Sequence, residues 1–353
     1  MKYDLIIVGQ GIAGTAIAAK ALEYNKKIIL IDERHKPVAS EVAAGVINPL
    51  TGKNWGLAWE FENAFAEAQH FYQYWETFFH TKFLRQKPIK RYLAHIGDQN
   101  TLAAFAQENP YQKYVQALHL SASERHTSAW KNTFGSVDIF PAAHINTQHL
   151  LATFRQFFSE KNMLCEEQFC HEQLTIFSDK VIYKDMEASF VVFCEGYKVL
   201  SNPLFARLPI NACKGEVLLA EIDELDRHFM YKCGVMAAPQ SEKIWWIGST
   251  YHWNELSETP NLAMLEELRK LLQENLLVPY KIQNMQAGIR PGSPDRRPIV
   301  GNLKEYPPVT ILNGLGTKAY LYAPLMAHFL AKYLFQQENL PPTIALSRFK
   351  AFR

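Results

Sequence analysis

Three glycines and one acid near the N-terminus are placed to hold a dinucleotide. Gly9, Gly11 and Gly14 stand in the run Gly9-Gln10-Gly11-Ile12-Ala13-Gly14, directly after the apolar stretch Tyr3 to Val8, and Asp32 ends a second apolar stretch, Ile28 to Ile31. In a strand–turn–helix–strand unit each glycine serves a separate purpose. Gly9 permits the tight turn, Gly11 lets backbone amides approach a pyrophosphate, and Gly14 lets helix and strand pack closely. Ile12 and Ala13 open the helix, whose positive dipole end favours the phosphates. Asp32, eighteen residues beyond Gly14, could accept both hydroxyls of an adenosine ribose and would repel a 2′-phosphate. FAD or NAD(H) is therefore favoured over NADP(H).

The bulk composition narrows the class. A chain of 353 residues is long enough for about two domains with a large core. With 48% hydrophobic and 20% charged residues it reads as an ordinary globular protein. A net charge of +2, with dispersed lysines and arginines, gives no electrostatic surface for a membrane or a nucleic acid. The five cysteines form no CxxC pair and suit free thiols in a reducing compartment. The twelve histidines include no HExxH motif, so no metal is expected. Apolar runs are strand-length and the first begins at Tyr3, so neither a signal peptide nor a spanning helix is expected, and the location should be cytoplasmic.

The elements that position these residues follow from periodicity. After Asp32, the small, glycine-punctuated segment Ala43-Ala44-Gly45-Val46-Ile47-Asn48-Pro49 looks like chain running close to a ligand. Trp59 to Phe79 carries aromatics at helical spacing and reads as a core-facing helix. Strand-like pieces such as Ile89 to Ile96 follow, then a polar segment, Ser121 to Lys131. A helix over 146–160 is capped by Asn146 or Thr147. Strands are predicted at 174–177, 181–184 and 188–194, the last ending at Cys194-Glu195-Gly196. From 211 to 285 the alternation at 215–220, 229–236 and 243–248 has antiparallel character, with a helix over 261–277. The chain closes with a strand at 309–312, the turn Asn313 to Ala319, and a helix over 320–335. The expected fold is α/β: a discontinuous Rossmann-type nucleotide domain formed by 1–82, 140–210 and 286–353, and an antiparallel-sheet α+β substrate domain formed by 83–139 and 211–285.

Four segments in this order resemble one family. They are GQGIAG with Asp32, AAGVINP at 43–49, GIRPGSPDRRPIVG at 288–301 and NGLGTKAYLYAP at 313–324. Together they are similar to the FAD-dependent amine oxidoreductases, which include D-amino-acid oxidase, glycine oxidase, sarcosine oxidase and the flavin domain of the tRNA 5-methylaminomethyluridine enzyme. The resemblance implies FAD, and the sequence offers no obvious cysteine for covalent attachment, which favours a non-covalent flavin. It implies phosphate and ribose contacts from Gly9, Gly11, Ile12, Ala13, Gly14 and Asp32, with Ser40 a further phosphate ligand. Ala44, Gly45, Val46 and Asn48 would pass beside the isoalloxazine, and Gly196 would end the middle strand. Gly314, Gly316, Thr317 and Lys318 would face the flavin N1 and C2 carbonyl, where amides or a cation stabilise negative charge. Arg290 matches the arginine that binds a substrate carboxylate, for which a guanidinium fork is suited. Its bland alternative is a loop ion pair with Asp295. Tyr251 and His252 lie in the insertion expected to roof the flavin, and Lys214-Gly215-Glu216 resembles a structural strand of the family. Glu195 departs from the family pattern, since a carboxylate near the phosphates is repulsive unless it points away.

The implied activity is oxidation of a primary or secondary amine, an amino acid or N-substituted glycine, by hydride transfer to flavin N5 and imine hydrolysis, with oxygen or another acceptor reoxidising the flavin. Two alternatives stand beside it: removal of a carboxymethyl group from a modified uridine of tRNA, and a non-catalytic flavin-binding protein.

Overall fold

The computed structural model describes residues 1–34, 38–52, 54–105, 111–120 and 128–352. Alternation along the first strands already divides the core. Leu5, Ile7 and Leu30 point into one apolar cluster, whereas Ile6, Val8, Ile29 and Ile31 point into another. A strand buried on both faces is what a parallel sheet between layers requires. Lys2–Val8 is flanked in parallel by Ile28–Ile31 and Met186–Phe193. Leu164–Cys165 extends one edge in parallel, and Val181–Tyr183 and Leu174–Ile176 extend the other antiparallel. The last residues of Met186–Phe193 pair instead with Val309–Asn313, which carries Ile299–Asn302. Among the described residues this makes an eight-stranded sheet.

Two helices pack together over one face of this sheet, Ile12–Glu23 and Ala319–Gln336. Alanines at 16, 18, 19 and 21 are fully buried and let the helix approach closely. The aromatic helix Phe61–Phe79 packs on the closing helix and, through Trp75 and Phe79, on Phe154 of helix Thr147–Glu160. Asn146 caps that last helix, its side chain accepting from the His149 amide at 3.1 Å.

The second sheet, also eight-stranded among the described residues, runs Lys281–Gly292, Asn211–Glu221, Ile244–Gly248, Val235–Pro239, Met230–Cys233, Ile89–Tyr92, Ser136–Ile139, Val115–His119. Its pairs are antiparallel except Met230–Cys233 with Ile89–Tyr92. Helix Leu262–Asn275 covers one face with Leu265, Leu268 and Leu272, against Leu218, Trp245 and Ile247. The opposite face turns Val217 and Trp246 onto Val42 of the first sheet's side.

Several elements differ from the sequence expectation. The alternating run 229–236 is a hairpin broken at Gly234, whose φ of +62° reverses the chain. The strand expected over 89–96 stops at Tyr92, and Ile96–Phe105 is a helix whose weak amphipathicity hid it. Lys281–Gly292 is a twelve-residue strand, so Arg290 sits in a sheet and not in a loop. Residues 121–127 of the polar segment lie outside the described residues. Among the described residues no helix is long and apolar enough to cross a membrane.

The two sheets meet at the four-residue helix Ala39–Val42. Ser40 Oγ accepts from the Ile12 amide at 3.1 Å, and the Ser40 carbonyl accepts from the Tyr320 hydroxyl at 2.8 Å. Trp246 Nε1 donates to the Val42 carbonyl at 2.7 Å. Gly288 comes so close that a Cβ there would lie 3.3 Å from Ala39 Cα and Val42 Cβ.

Candidate active site

The glycine turn is a cradle that side chains would fill. Gly9 has φ +95°, and a Cβ on it would lie 2.7 Å from the Cys194 carbonyl oxygen. On Gly14 it would lie 1.8 Å from the Gly9 carbonyl oxygen. The helix that follows has no side-chain cap at Gly11 and no acid in its first turn, which leaves its positive end for an anion. Ser40 Oγ reaches that end through the Ile12 amide, with Ala13 beside it. This donor set fits a pyrophosphate.

Asp32 is more occupied than its position in the sequence suggests. Its carboxylate accepts from the Gln10 amide at 2.8 Å, the Arg34 amide at 3.0 Å and Arg155 Nη1 at 2.8 Å. Burial alone would raise the Asp32 pKa, but these hydrogen bonds outweigh it and hold the carboxyl below its ordinary value. Arg155, which also approaches Glu166 at 3.1 Å, comes from helix Thr147–Glu160. Nothing local in the sequence marks it.

The segment after the short helix keeps its chain close to neighbouring backbone. Gly45 has φ +67°, a Cβ there would lie 2.1 Å from the Ile145 carbonyl oxygen, and Ala44 packs partly buried beside it. Val46 pairs with His144, and Asn48 Oδ1 accepts from the Leu50 amide at 3.0 Å. At the end of the middle strand Gly196 has φ +60°, and its carbonyl accepts from Asn313 Nδ2 at 2.9 Å. Asn313 Oδ1 in turn accepts from the Gly314 amide at 2.8 Å, so one buried amide ties both turns together. Glu195 is turned toward Asn202 Nδ2 at 2.7 Å and His171 at 3.7 Å. Burial pushes its pKa from 4.5 up to about 7, against the pull of the Asn202 hydrogen bond and Lys198.

Gly314 and Gly316 both take positive φ, and the short turn Gly316–Lys318, with Thr317 exposed at its centre, leads into the closing helix. The Lys318 ammonium forms no ion pair or hydrogen bond among the described residues. Burial, and then the charge of Arg296, lowers its pKa. Leu315 bridges to Gly292. The strand that carries Arg290 is thereby joined to this turn two residues further on.

Arg290 lies across Gly215 of the neighbouring strand. A Cβ on Gly215 would lie 1.9 Å from Nη2, so only glycine leaves room for the guanidinium. Nη2 donates to Ser249 Oγ and Nη1 to the Thr250 carbonyl at 3.4 Å, while the Tyr251 ring lies 4.9 Å from Cζ. Asp295 is engaged by Arg348 at 2.9 Å, which removes the loop-pair reading. No carboxylate pairs with Arg290 among the described residues. A glycine inside a strand marks close approach, and Gly215 was the signal that could have revealed this arrangement.

The strap from Ser249 to Thr259 is held from the other face of the sheet. Lys214 and Glu216 are 0% exposed and 3.4 Å apart. Lys214 Nζ donates to Glu255 Oε1 at 2.8 Å, Ser257 Oγ at 3.0 Å and the Thr259 carbonyl at 2.6 Å, and the Thr250 hydroxyl donates to Glu216. His252 exchanges backbone hydrogen bonds with Lys214 at 2.9 Å each. As a bridge partner its side chain shares the Lys214 face, 3.9 Å from Glu255, and the structure separates it from Arg290. Tyr251 is on the Arg290 side and 60% exposed.

A nucleotide cradle faced by a closing-turn lysine and a roofing-sheet arginine, neither with an acidic partner among the described residues, suits a flavin-dependent oxidoreductase. The chain belongs to the DAO family, described as FAD dependent oxidoreductase, whose model matches residues 4–333, and its cofactor is FAD. It is 24% identical to the glycine oxidase of Bacillus subtilis (strain 168), over 95% of this chain and 94% of that one. It is 22% identical to the tRNA 5-methylaminomethyl-2-thiouridine biosynthesis bifunctional protein MnmC of Marinobacter nauticus, over 94% of this chain but 56% of that longer protein. The glycine oxidase of Geobacillus kaustophilus has a similar fold, with a TM-score of 0.81 at 19% identity and 99% of each chain covered.

Two outcomes follow from this geometry. Because the native state binds the Glu195 proton more tightly than the unfolded chain does, the contribution of this group to stability is full below pH 4.5 and is lost as pH rises toward about 7. Glu195→Gln should therefore unfold at nearly the native temperature at pH 4.5 and at a higher one at pH 8; an equal offset at both pH values would contradict this. Lys214→Met leaves two carboxylates without their cation and should cost about 3–5 kcal/mol in denaturant unfolding. A loss under about 1 kcal/mol would mean that water compensates the pair.

Proposed function

We propose that this enzyme oxidises a primary or secondary amine that carries a carboxylate, an amino acid or an N-substituted glycine. The carrying observation is Arg290: a planar fork with no acidic partner among the described residues, given room by Gly215, steadied by Ser249 and Thr250, and joined through Gly292 and Leu315 to the turn at Gly314–Lys318. A carboxylate on that fork gains two charge-assisted hydrogen bonds and a fixed orientation. Orientation of the α-carbon is what the protein contributes to such a reaction.

Bound FAD supplies the two-electron acceptor. Gly9, Gly11, Gly14 and Ser40 would hold its pyrophosphate, Asp32 its ribose, and Ala44 to Asn48 with Gly314 to Lys318 its ring. The sheet that carries Arg290 would roof the site and keep water from it, which would strengthen the electrostatic contacts beneath. The substrate nitrogen enters neutral, so no strong base is needed, and the imine product hydrolyses in water. The flavin is held without a covalent link and should be released by acid or heat.

A second reading is favoured by the MnmC likeness and by Tyr251 and Trp253, which are 60% and 59% exposed at the strap. In it Arg290 holds the carboxymethyl group of a modified uridine, and the exposed rings offer stacking surfaces of the kind nucleobases use. Anaerobic mixing with a panel of amino acids, N-methyl amino acids and carboxymethylated nucleosides, while flavin bleaching is followed, separates the two.

Arg290→Leu should stay yellow and lose at least tenfold in kcat/KM for a carboxylated amine, about 1.5–3 kcal/mol. Arg290→Lys should recover only part, since an ammonium lacks the fork. Native-rate flavin reduction by the leucine variant at every substrate concentration would remove Arg290 from the site. Lys318→Met should lower the flavin midpoint potential with FAD content unchanged, because a cation is lost from a low-dielectric site. An unaltered potential would place Lys318 away from the ring.

A further inference from the structure

The face of the second sheet that carries Arg290 also carries two other cations. Paired residues on adjacent strands point to the same side of a sheet. Arg290 pairs with Cys213, and Cys213, Gly215 and Val217 alternate onto one face. From Val217 the register continues to Gly248, Met236, Lys232 and Arg91. Lys232 and Arg91 are thus direct neighbours on the Arg290 face, which turns toward the nucleotide side.

Neither side chain is neutralised. Both are half-buried, and among the described residues neither forms an ion pair. Among the described residues the Lys232 ammonium donates to the Gly234 carbonyl at 3.1 Å. The Arg91 guanidinium lies 3.4 Å from the centre of the Trp55 ring and donates to the Gly52 carbonyl at 3.0 Å. The acid nearest in effect is Asp98, whose carboxylate is already taken by the Ala94 amide at 2.9 Å and by Trp55 Nε1 at 3.4 Å. Burial, and then Arg91, pulls Lys232 down to about 8, and burial pulls Arg91 down to about 10. Two adjacent cations kept partly from water without a counter-ion cost free energy that a bound anion returns.

We propose that Lys232 and Arg91 form a second anion subsite, and that the substrate is an amine with a carboxylate at Arg290 and a further carboxylate or phosphate beyond its nitrogen. Arg290 reaches Ser249, at the end of strand Ile244–Gly248, and Lys232 stands two strands away, about 10 Å at the usual spacing. The row between them is Gly248 and Met236, without charge, which suits a neutral linker. The substrate assignment rests on the reading of Arg290 given above; the subsite itself does not.

The test has two arms on the FAD-loaded protein. In the first, inorganic pyrophosphate is titrated calorimetrically into the native protein, Lys232→Gln, Arg91→Gln and Arg290→Leu. Binding should weaken at least tenfold in each of the first two variants and stay within about twofold in the third. Native binding that is absent, or equal in Lys232→Gln and Arg91→Gln, overturns the subsite. In the second, N-alkylglycines ending in a methyl, carboxylate or phosphonate group, with linkers spanning about 10 Å and shorter, are compared by KM in flavin reduction. A charged end should lower KM at least tenfold at the longer linker, and Lys232→Gln should abolish that gain while leaving the methyl-ended substrate unchanged. The larger gain, from carboxylate or phosphonate, identifies the anion. Equal KM for all three ends overturns the substrate assignment, and failure of every N-alkylglycine to bleach a flavin whose protein binds pyrophosphate overturns the Arg290 reading alone.

Discussion

Everything in this enzyme depends on one turn of backbone, Ala39–Val42. Four elements of the chain end on it: the first helix through Ser40 Oγ, the closing helix through Tyr320, and two strands of the roofing sheet, Ile244–Gly248 through Trp246 and Lys281–Gly292 through Gly288. Three of these are hydrogen bonds in or beside the core, where an unmade partner is costly. The fourth is a van der Waals approach that only a residue without a side chain allows. A cofactor that touches the glycine turn and a substrate that touches Arg290 are therefore registered against the same four residues. The distance between nucleotide cradle and roof is set by packing, not by a linker.

Charge is the second organising influence. Most ion pairs of the chain are ordinary surface contacts worth little. Set apart from these are half-buried cations that form no ion pair among the described residues: Arg290, Lys232 and Arg91 on the roof and Lys318 on the closing turn. An anionic cofactor and the carboxylated substrate proposed above would meet side chains that already have the complementary sign. By contrast Lys214 is fully enclosed and fully compensated, and it acts on the cleft only through the strap that it fastens.

The nucleotide-binding half was largely legible in the sequence, because its chemistry uses consecutive residues. The glycine turn, the two buried strands and the capped helix starting after Asn146 each carry their signal within a dozen positions. The roof was harder. Its strands alternate clearly, but Gly234 reads as one more small residue in a run until its φ is known, and Arg290 next to proline looks like a loop. Contacts that join distant segments left no local trace. Arg155 on Asp32, Asn313 between Gly196 and Gly314, and the strap under Lys214 depend on which elements become neighbours, and no periodicity encodes that. His252 shows the reverse error: its residue type suggested chemistry, and the bridge to Lys214 turns its ring to the other side of the sheet.

The pairing of Asp32 with Arg155 has a bearing on the order of assembly. An acid kept for a ribose would be a buried, unbalanced charge in a newly made chain that has not yet met its nucleotide. Here helix Thr147–Glu160 brings its own counter-ion, and two backbone amides complete the shell. The strand–turn–helix unit and helix Thr147–Glu160 together therefore balance the acid with protein groups alone, Arg155 standing where a ligand would otherwise have to. On the ribose role proposed for Asp32, loading the cofactor would be an exchange of partners at a carboxylate that the chain has already balanced.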